Sequence, residues 1–211
     1  MKRFTLDLDN AVLVVIDMQE FSCVMEDELR RLALDQVVMC INRLANACRK
    51  FNIPVIWVRH NLHSNGNVND GGFFQQFHDE ERTRAVMDYG PKTEIFNGMD
   101  VDTARDHIIF KNRYSAFLAN PPELQLKLQE LGRRQLLITG IAANVCVEST
   151  LRDAMQLDYE VILVSDGTIG TDESSYQNTI KNTQLFFGDV QTSSDIIRGI
   201  SKDKDKSMEE Q

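Results

Sequence analysis

Three side chains combine residue types and positions that suit acyl transfer: Asp17, Lys111 and Cys146. Asp17 follows the apolar run Ala11–Ile16 (AVLVVI), and Lys111 follows residues 107–110 (HIIF). Cys146 comes seven residues after Thr139, the end of residues 135–139 (QLLIT). A thiol attacks a carbonyl carbon as its thiolate, and a helix amino terminus or a nearby ammonium favours that anion. A carboxylate at the same place can take the thiol proton and later return it to a leaving amine. Backbone N–H groups in the turn entering Cys146 would then face the developing oxyanion. Such a set serves carbonyl compounds with a poor nitrogen leaving group. Each residue alone also has an ordinary reading: an Asp that caps a turn, a solvated Lys, a small core Cys.

For the three to meet, three strand ends must share one edge. Further apolar runs occupy residues 53–58 (IPVIWV) and 161–164 (VILV), with a weak candidate at Asp189–Gln191. Runs apolar on both faces suit buried parallel strands. Helical patterns lie between them over residues 35–51, 122–131, 147–157 and 174–187, the second closed by Gly132. In the first, Val38, Ile41, Leu44, Ala45 and Cys48 share one face. This alternation predicts an α/β fold: a doubly wound, mainly parallel six-stranded sheet with helices on both faces, in the order 3-2-1-4-5-6. Ligands bind such sheets beyond the carboxyl ends of the strands, where the three residues fall. Residues 60–106 are polar and glycine-containing, and read as a long excursion forming a lid or subunit contact. Residues 1–200 read as a single domain, and the highly polar residues 201–211 as a disordered tail.

The net charge of −9 argues against nucleic-acid or anionic-membrane partners, which need a basic surface. No apolar run is long enough to span a bilayer, and Asp7 and Asp9 fall where a signal core would lie, so cytoplasmic residence is expected. Cys23, Cys40, Cys48 and Cys146 form no C-x-x-C pair and read as reduced thiols.

Three ordered segments, VVIDMQ (residues 14–19), KNRYSAF (111–117) and TGIAANVCVESTLRDA (139–154), resemble the isochorismatase-like cysteine hydrolase superfamily. The resemblance spans roughly residues 10–190. It implies a catalytic triad of Asp17, Lys111 and Cys146, and a thioester on the cysteine. It further implies a cis peptide between Ile141 and Ala142, with the Ala142 and Cys146 N–H groups as oxyanion hole. NVCVESTLRDA is most similar to ureidoacrylate and other linear-amide amidohydrolases, and the intact Cys146 favours C–N cleavage over vinyl-ether hydrolysis of the isochorismatase kind. Nicotinamidases carry a metal behind an Asp-x-His motif. Here His60 and His63 lack the preceding Asp, so neither a metal nor another cofactor is expected. A small-molecule substrate and a homo-oligomer, dimer or tetramer, are implied. The alternatives are a vinyl-ether hydrolase and a non-catalytic redox or ligand-binding protein on the same fold.

Around the trio, Gln19 and Asn144 offer hydrogen bonds, and Trp57, Tyr114 and Phe117 offer apolar walls. Phe21 would line the pocket by resemblance, although one residue separates it from Gln19 where relatives have two; Ala143 stands where many have Thr or His. Arg113 reads either as a fork for a substrate carboxylate or as a structural ion pair. Asp166 reads as a cap of the segment that follows it.

Overall fold

Successive residues of a strand point to opposite faces, so a run such as AVLVVI must be covered on both sides. The computed structural model describes residues 4–209 apart from 26, 63–72, 79 and 88–89. Its sheet contains β1 (Ala11–Ile16), β2 (Val55–His60), β3 (His107–Lys111), β4 (Gln135–Ile141), β5 (Glu160–Ile169) and β6 (Asp189–Gln191). The order is β3-β2-β1-β4-β5-β6, as the alternation predicts, and every pairing is parallel. Ala11, Leu13 and Val15 enter a core with α1 (Glu28–Lys50) and α7 (Ser193–Glu209). Val12, Val14 and Ile16 enter a second core with α4 (Glu123–Leu131) and α5 (Glu148–Gln156). Each fully buried Leu, Ile or Val contributes about 1.5–3 kcal/mol.

The elements differ from expectation mainly at their ends. α1 starts well before residue 35, because Asp27 caps it by accepting the Arg30 N–H at 2.8 Å. Its first turn carries the exposed Glu28, Leu29 and Arg30, so no apolar stripe marks it. α4 does end at Gly132, whose φ of 64° satisfies the left-handed cap. Residues 60–106 hold α2 (Phe74–Phe77), α3 (Glu80–Ala85) and a 3-10 turn, Pro91–Thr93. His63, like the rest of 63–72, lies outside the described residues. α6 (Glu173–Asn182) continues into a π turn, Thr183–Phe187. α7 runs to Glu209, through most of the stretch from residue 201 onward that the sequence reads as disordered. That stretch is polar but has no Gly or Pro, and its Lys, Met and Glu residues favour helix. Among the described residues no helix is long and apolar enough to cross a membrane.

Trp57 corrects a second expectation. It is 1% exposed and packs in the α1-side core. Its indole N–H donates to Asp106 Oδ2 at 2.8 Å, at the amino end of β3 and away from the strand ends that carry Asp17 and Lys111. The same carboxylate accepts Arg49 Nε at 3.0 Å and Nη2 at 2.6 Å, tying α1 to β2 and β3. Burial opposes the charge on Asp106, but the Arg49 and Trp57 donors prevail and hold its pKa below the usual value. A depressed folded pKa contributes stability that is complete above the unfolded value, about 3.9, and is lost as pH falls through the folded one. Asp106→Asn is expected to cost about 3 kcal/mol at pH 7, by taking from the buried Arg49 its two-pronged carboxylate and leaving it the Asp100 carbonyl and a longer, 3.5 Å contact to the Asp100 carboxylate. The deficit should shrink below about pH 4, where the wild type loses the same contribution. Urea unfolding of both proteins at the two pH values checks this; an unchanged deficit in acid would contradict it.

Candidate active site

β1, β3 and β4 all end at the same edge because their register aligns them through β2: Ile16 lies beside both Val58 and Gly140, and His60 beside Lys111. Asp17 leaves β1 with a φ of 52°, a left-handed conformation that Asp tolerates better than most residues. Ser22 donates its hydroxyl hydrogen to the Asp17 carbonyl and so secures this turn. Gly140 sits directly against β1 with a φ of 109°. A Cβ there would lie 2.0 Å from the Ile16 carbonyl oxygen, so only glycine lets β4 deliver the cysteine turn this close to Asp17.

The three predicted side chains come together. Lys111 Nζ lies 2.9 Å from Asp17 Oδ2 and 3.4 Å from Cys146 Sγ, and donates to the Arg113 carbonyl at 2.9 Å. An ammonium has three donors, and these three partners use them all. Lys111, Asp17 and Cys146 are 2%, 3% and 7% exposed, so their charges interact with little screening by water. Burial opposes the ammonium, yet the facing Asp17 and Cys146 groups raise the Lys111 pKa. Lysine is the cation here.

The cysteine behaves differently from the sequence expectation. Burial, then the charge of Asp17, push the Cys146 pKa up, and Lys111 only partly offsets them. Burial therefore makes the anion costlier to form than that of a free thiol, and the facing Lys111 ammonium at 3.4 Å lowers that cost. Cys146 lies within a π-helical turn, Ala143–Val147, at the entrance to α5. The Ile141–Ala142 peptide is cis, and Ala142 N–H has no acceptor among the described residues.

A cavity of about 560 Å³ opens onto this group. Asp17, Cys146, His60, Ala142, Ile141, Phe21 and Tyr114 line it, and Tyr114 OH lies 3.0 Å from His78 Nε2. Phe21 and Tyr114 therefore stand where the sequence reading put them. Gln19 does not: it is fully buried, donates to the His60 and Thr93 carbonyls at 3.1 and 2.6 Å, and accepts His60 N–H at 2.6 Å. It staples β1 to β2. Phe117 is also away from the cavity, 5% exposed and packed on Tyr159 in the second core. Asn144 stands behind the wall, exchanging hydrogen bonds with Thr171, at 2.9 Å to its Oγ1 and 2.9 Å from its N–H. Arg113 is outside the lining and donates to the Asn112 carbonyl at 2.7 Å. Asp166 caps α7 rather than the segment directly after it, accepting Ser193 N–H at 2.7 Å and its hydroxyl at 2.6 Å.

Arg30 was missed. It carries the one guanidinium among the described residues lining the cavity, and it donates to the Gly170 carbonyl across the mouth at 3.3 Å. Asp27, three residues earlier, was the available signal, since a cap there starts α1 at the rim. No cluster of three metal-ligating side chains occurs among the described residues.

The isochorismatase domain family matches residues 11–195. Nicotinamidase 3 of Arabidopsis thaliana is 30% identical over 179 residues, 84% of this chain and 81% of its own. Ureidoacrylate amidohydrolase RutB of Methylorubrum extorquens is 27% identical over 94% of this chain and 86% of its own. A cysteine hydrolase from Pseudomonas syringae pv. phaseolicola superposes with a TM-score of 0.84 at 24% identity, over 95% of this chain and 96% of that one, which speaks to the fold. N-carbamoylsarcosine amidase of Thermoplasma acidophilum superposes with a TM-score of 0.69 at 20% identity, over 87% and 96%. With the domain match running through all three sequence segments and the parallel sheet that aligns them, this chain belongs to the isochorismatase family of hydrolases.

Proposed function

We propose that the protein cleaves the C–N bond of a small linear amide or ureide through a thioester on Cys146. One observation carries this reading: a single buried ammonium bonds both the Asp17 carboxylate and the Cys146 sulfur at the wall of a cavity. In the proposed reaction Sγ attacks the carbonyl carbon while its proton passes to Asp17. The Ala142 and Cys146 N–H groups bind the oxyanion, and Asp17 returns the proton to the leaving nitrogen. Water then attacks the thioester with Asp17 as base, and the acid departs. Lys111 stays charged throughout and holds the two reacting groups in register. Relatives named amidohydrolase and nicotinamidase support the same bond class.

The test is a screen of linear amides, ureides and nicotinamide for ammonia, beside isochorismate for pyruvate. Ammonia from a linear substrate supports the proposal. Pyruvate release that survives Cys146→Ala would replace it with vinyl-ether hydrolysis, and no turnover of any substrate would favour a binding or redox role. Arg30 supplies a place for a carboxylate on the substrate. Arg30→Met is expected to reduce kcat/KM about tenfold for an amide bearing a carboxylate, the loss of one charge-assisted contact, and to leave a neutral amide of similar size unaffected. Equal effects on both would remove Arg30 from recognition.

A further inference from the structure

We infer that Thr150 is a positioning residue that sets the separation of Lys111 from Cys146; the inference rests on Cys146 being the nucleophile. Thr150 is fully buried on the first turns of α5 and carries no charge to use in chemistry. Its hydroxyl donates to the Cys146 carbonyl at 2.7 Å. Helical threonines often make that bond to the preceding turn. What distinguishes this one is the second contact: the same oxygen accepts the Ala116 N–H at 3.1 Å, also buried.

Ala116 belongs to the loop that leaves β3, and that loop turns back to present the Arg113 carbonyl to Lys111 Nζ at 2.9 Å. The contacts therefore close a ring. From Cys146 the path runs through its carbonyl to the Thr150 hydroxyl, then to Ala116, along the chain to Arg113, to Lys111 Nζ and back to Cys146 Sγ at 3.4 Å. The loop is held further along as well, where Ser115 Oγ accepts the Phe117 N–H at 3.2 Å. β3 and α5 are remote in sequence, and β3 lies three strands from β4, which leads into the cysteine turn. The sheet by itself leaves the distance between ammonium and sulfur to the loop, and the Thr150 hydroxyl is the pin between that loop and the cysteine helix.

Thr150→Val keeps the shape and removes the hydroxyl; Thr150→Ser keeps the hydroxyl. The readouts are iodoacetamide alkylation of the Cys146 peptide, followed by mass spectrometry across pH, and kcat against KM on the amide found by screening. Thr150→Val should alkylate on the order of tenfold more slowly near pH 8, with its midpoint moved upward, and lose roughly 10- to 100-fold in kcat while KM stays within about twofold. Thr150→Ser should stay near the wild type in both. A folded Thr150→Val that keeps the wild-type pH dependence of alkylation and kcat would overturn the inference, as would a Thr150→Ser as impaired as Thr150→Val. If neither Thr150→Val nor Thr150→Ala folds, by circular dichroism, the residue is structural and the inference falls. Alkylation needs no substrate, so wild-type protein that hydrolyses no amide would sink the hydrolase reading and leave this comparison standing.

Discussion

Cys146→Ala is expected to lower amide hydrolysis by at least about 10⁴-fold, because the residue forms the bond on which the route depends. The loss should appear in kcat, whereas KM should change little, since the cavity walls are intact. Stability should change modestly. The sulfur is buried in the core beneath α4 and α5, but it also borders the cavity, so its removal enlarges an opening and does not create a sealed void. Lys111 keeps two of its three acceptors, Asp17 and the Arg113 carbonyl. Ammonia release measured beside a thermal melt separates the outcomes. Turnover within about tenfold of the wild type in a folded variant would end the covalent mechanism.

Lys111→Met should damage both activity and stability. The ammonium is 2% exposed and faces a carboxylate that is 3% exposed, so its loss takes the Lys111 ion pair from the buried Asp17. Breaking such a pair from one side costs about 3–5 kcal/mol. Asp17 and Cys146 would then lose the ammonium that bonds both of them, so a fall of about 10³-fold or more in kcat is expected. Adding Asp17→Asn should recover much of the lost stability without restoring turnover, because the carboxylate that lost its Lys111 ion pair is then removed too. Urea unfolding of the two single variants and the double variant reads this coupling directly. Single variants that cost nothing would show that the pair does not form.

The sign of the pH dependence follows. The folded Lys111 pKa is raised, with burial opposing and the facing Asp17 and Cys146 groups prevailing. Its contribution to stability is therefore complete below the unfolded value, about 10.4, and is lost only as pH rises through the folded one. The pair persists across the neutral range.

The strands were legible because fully apolar, β-branched runs settle in a sheet covered on both faces; right-handed crossovers narrow the strand orders without selecting one, and the structure selects it. The trio was legible in two steps: each member sits at a strand end or a helix start, which puts all three at one edge, and the resemblance carried by VVIDMQ, KNRYSAF and TGIAANVCVESTLRDA singles them out as a triad. The cavity wall was not legible. Trp57 and Phe117 are large and aromatic, as wall residues are, but Trp57 faces α1 and Phe117 stacks on Tyr159. Gln19 adjoins the site and yet spends its amide on the His60 backbone and the Thr93 carbonyl. Arg30 reaches the mouth from a helix turn with no apolar pattern to announce it.

By itself, then, the chain of residue types determined the α/β layering and the strand ends at which a carboxylate, an ammonium and a thiol sit, since these follow from short-range periodicity and from connection rules. Only the tertiary structure decided the burial of Cys146, the three partners of Lys111 and the lining of the cavity. Those depend on burial and on charges summed over segments far apart in sequence, and no local pattern carries that sum.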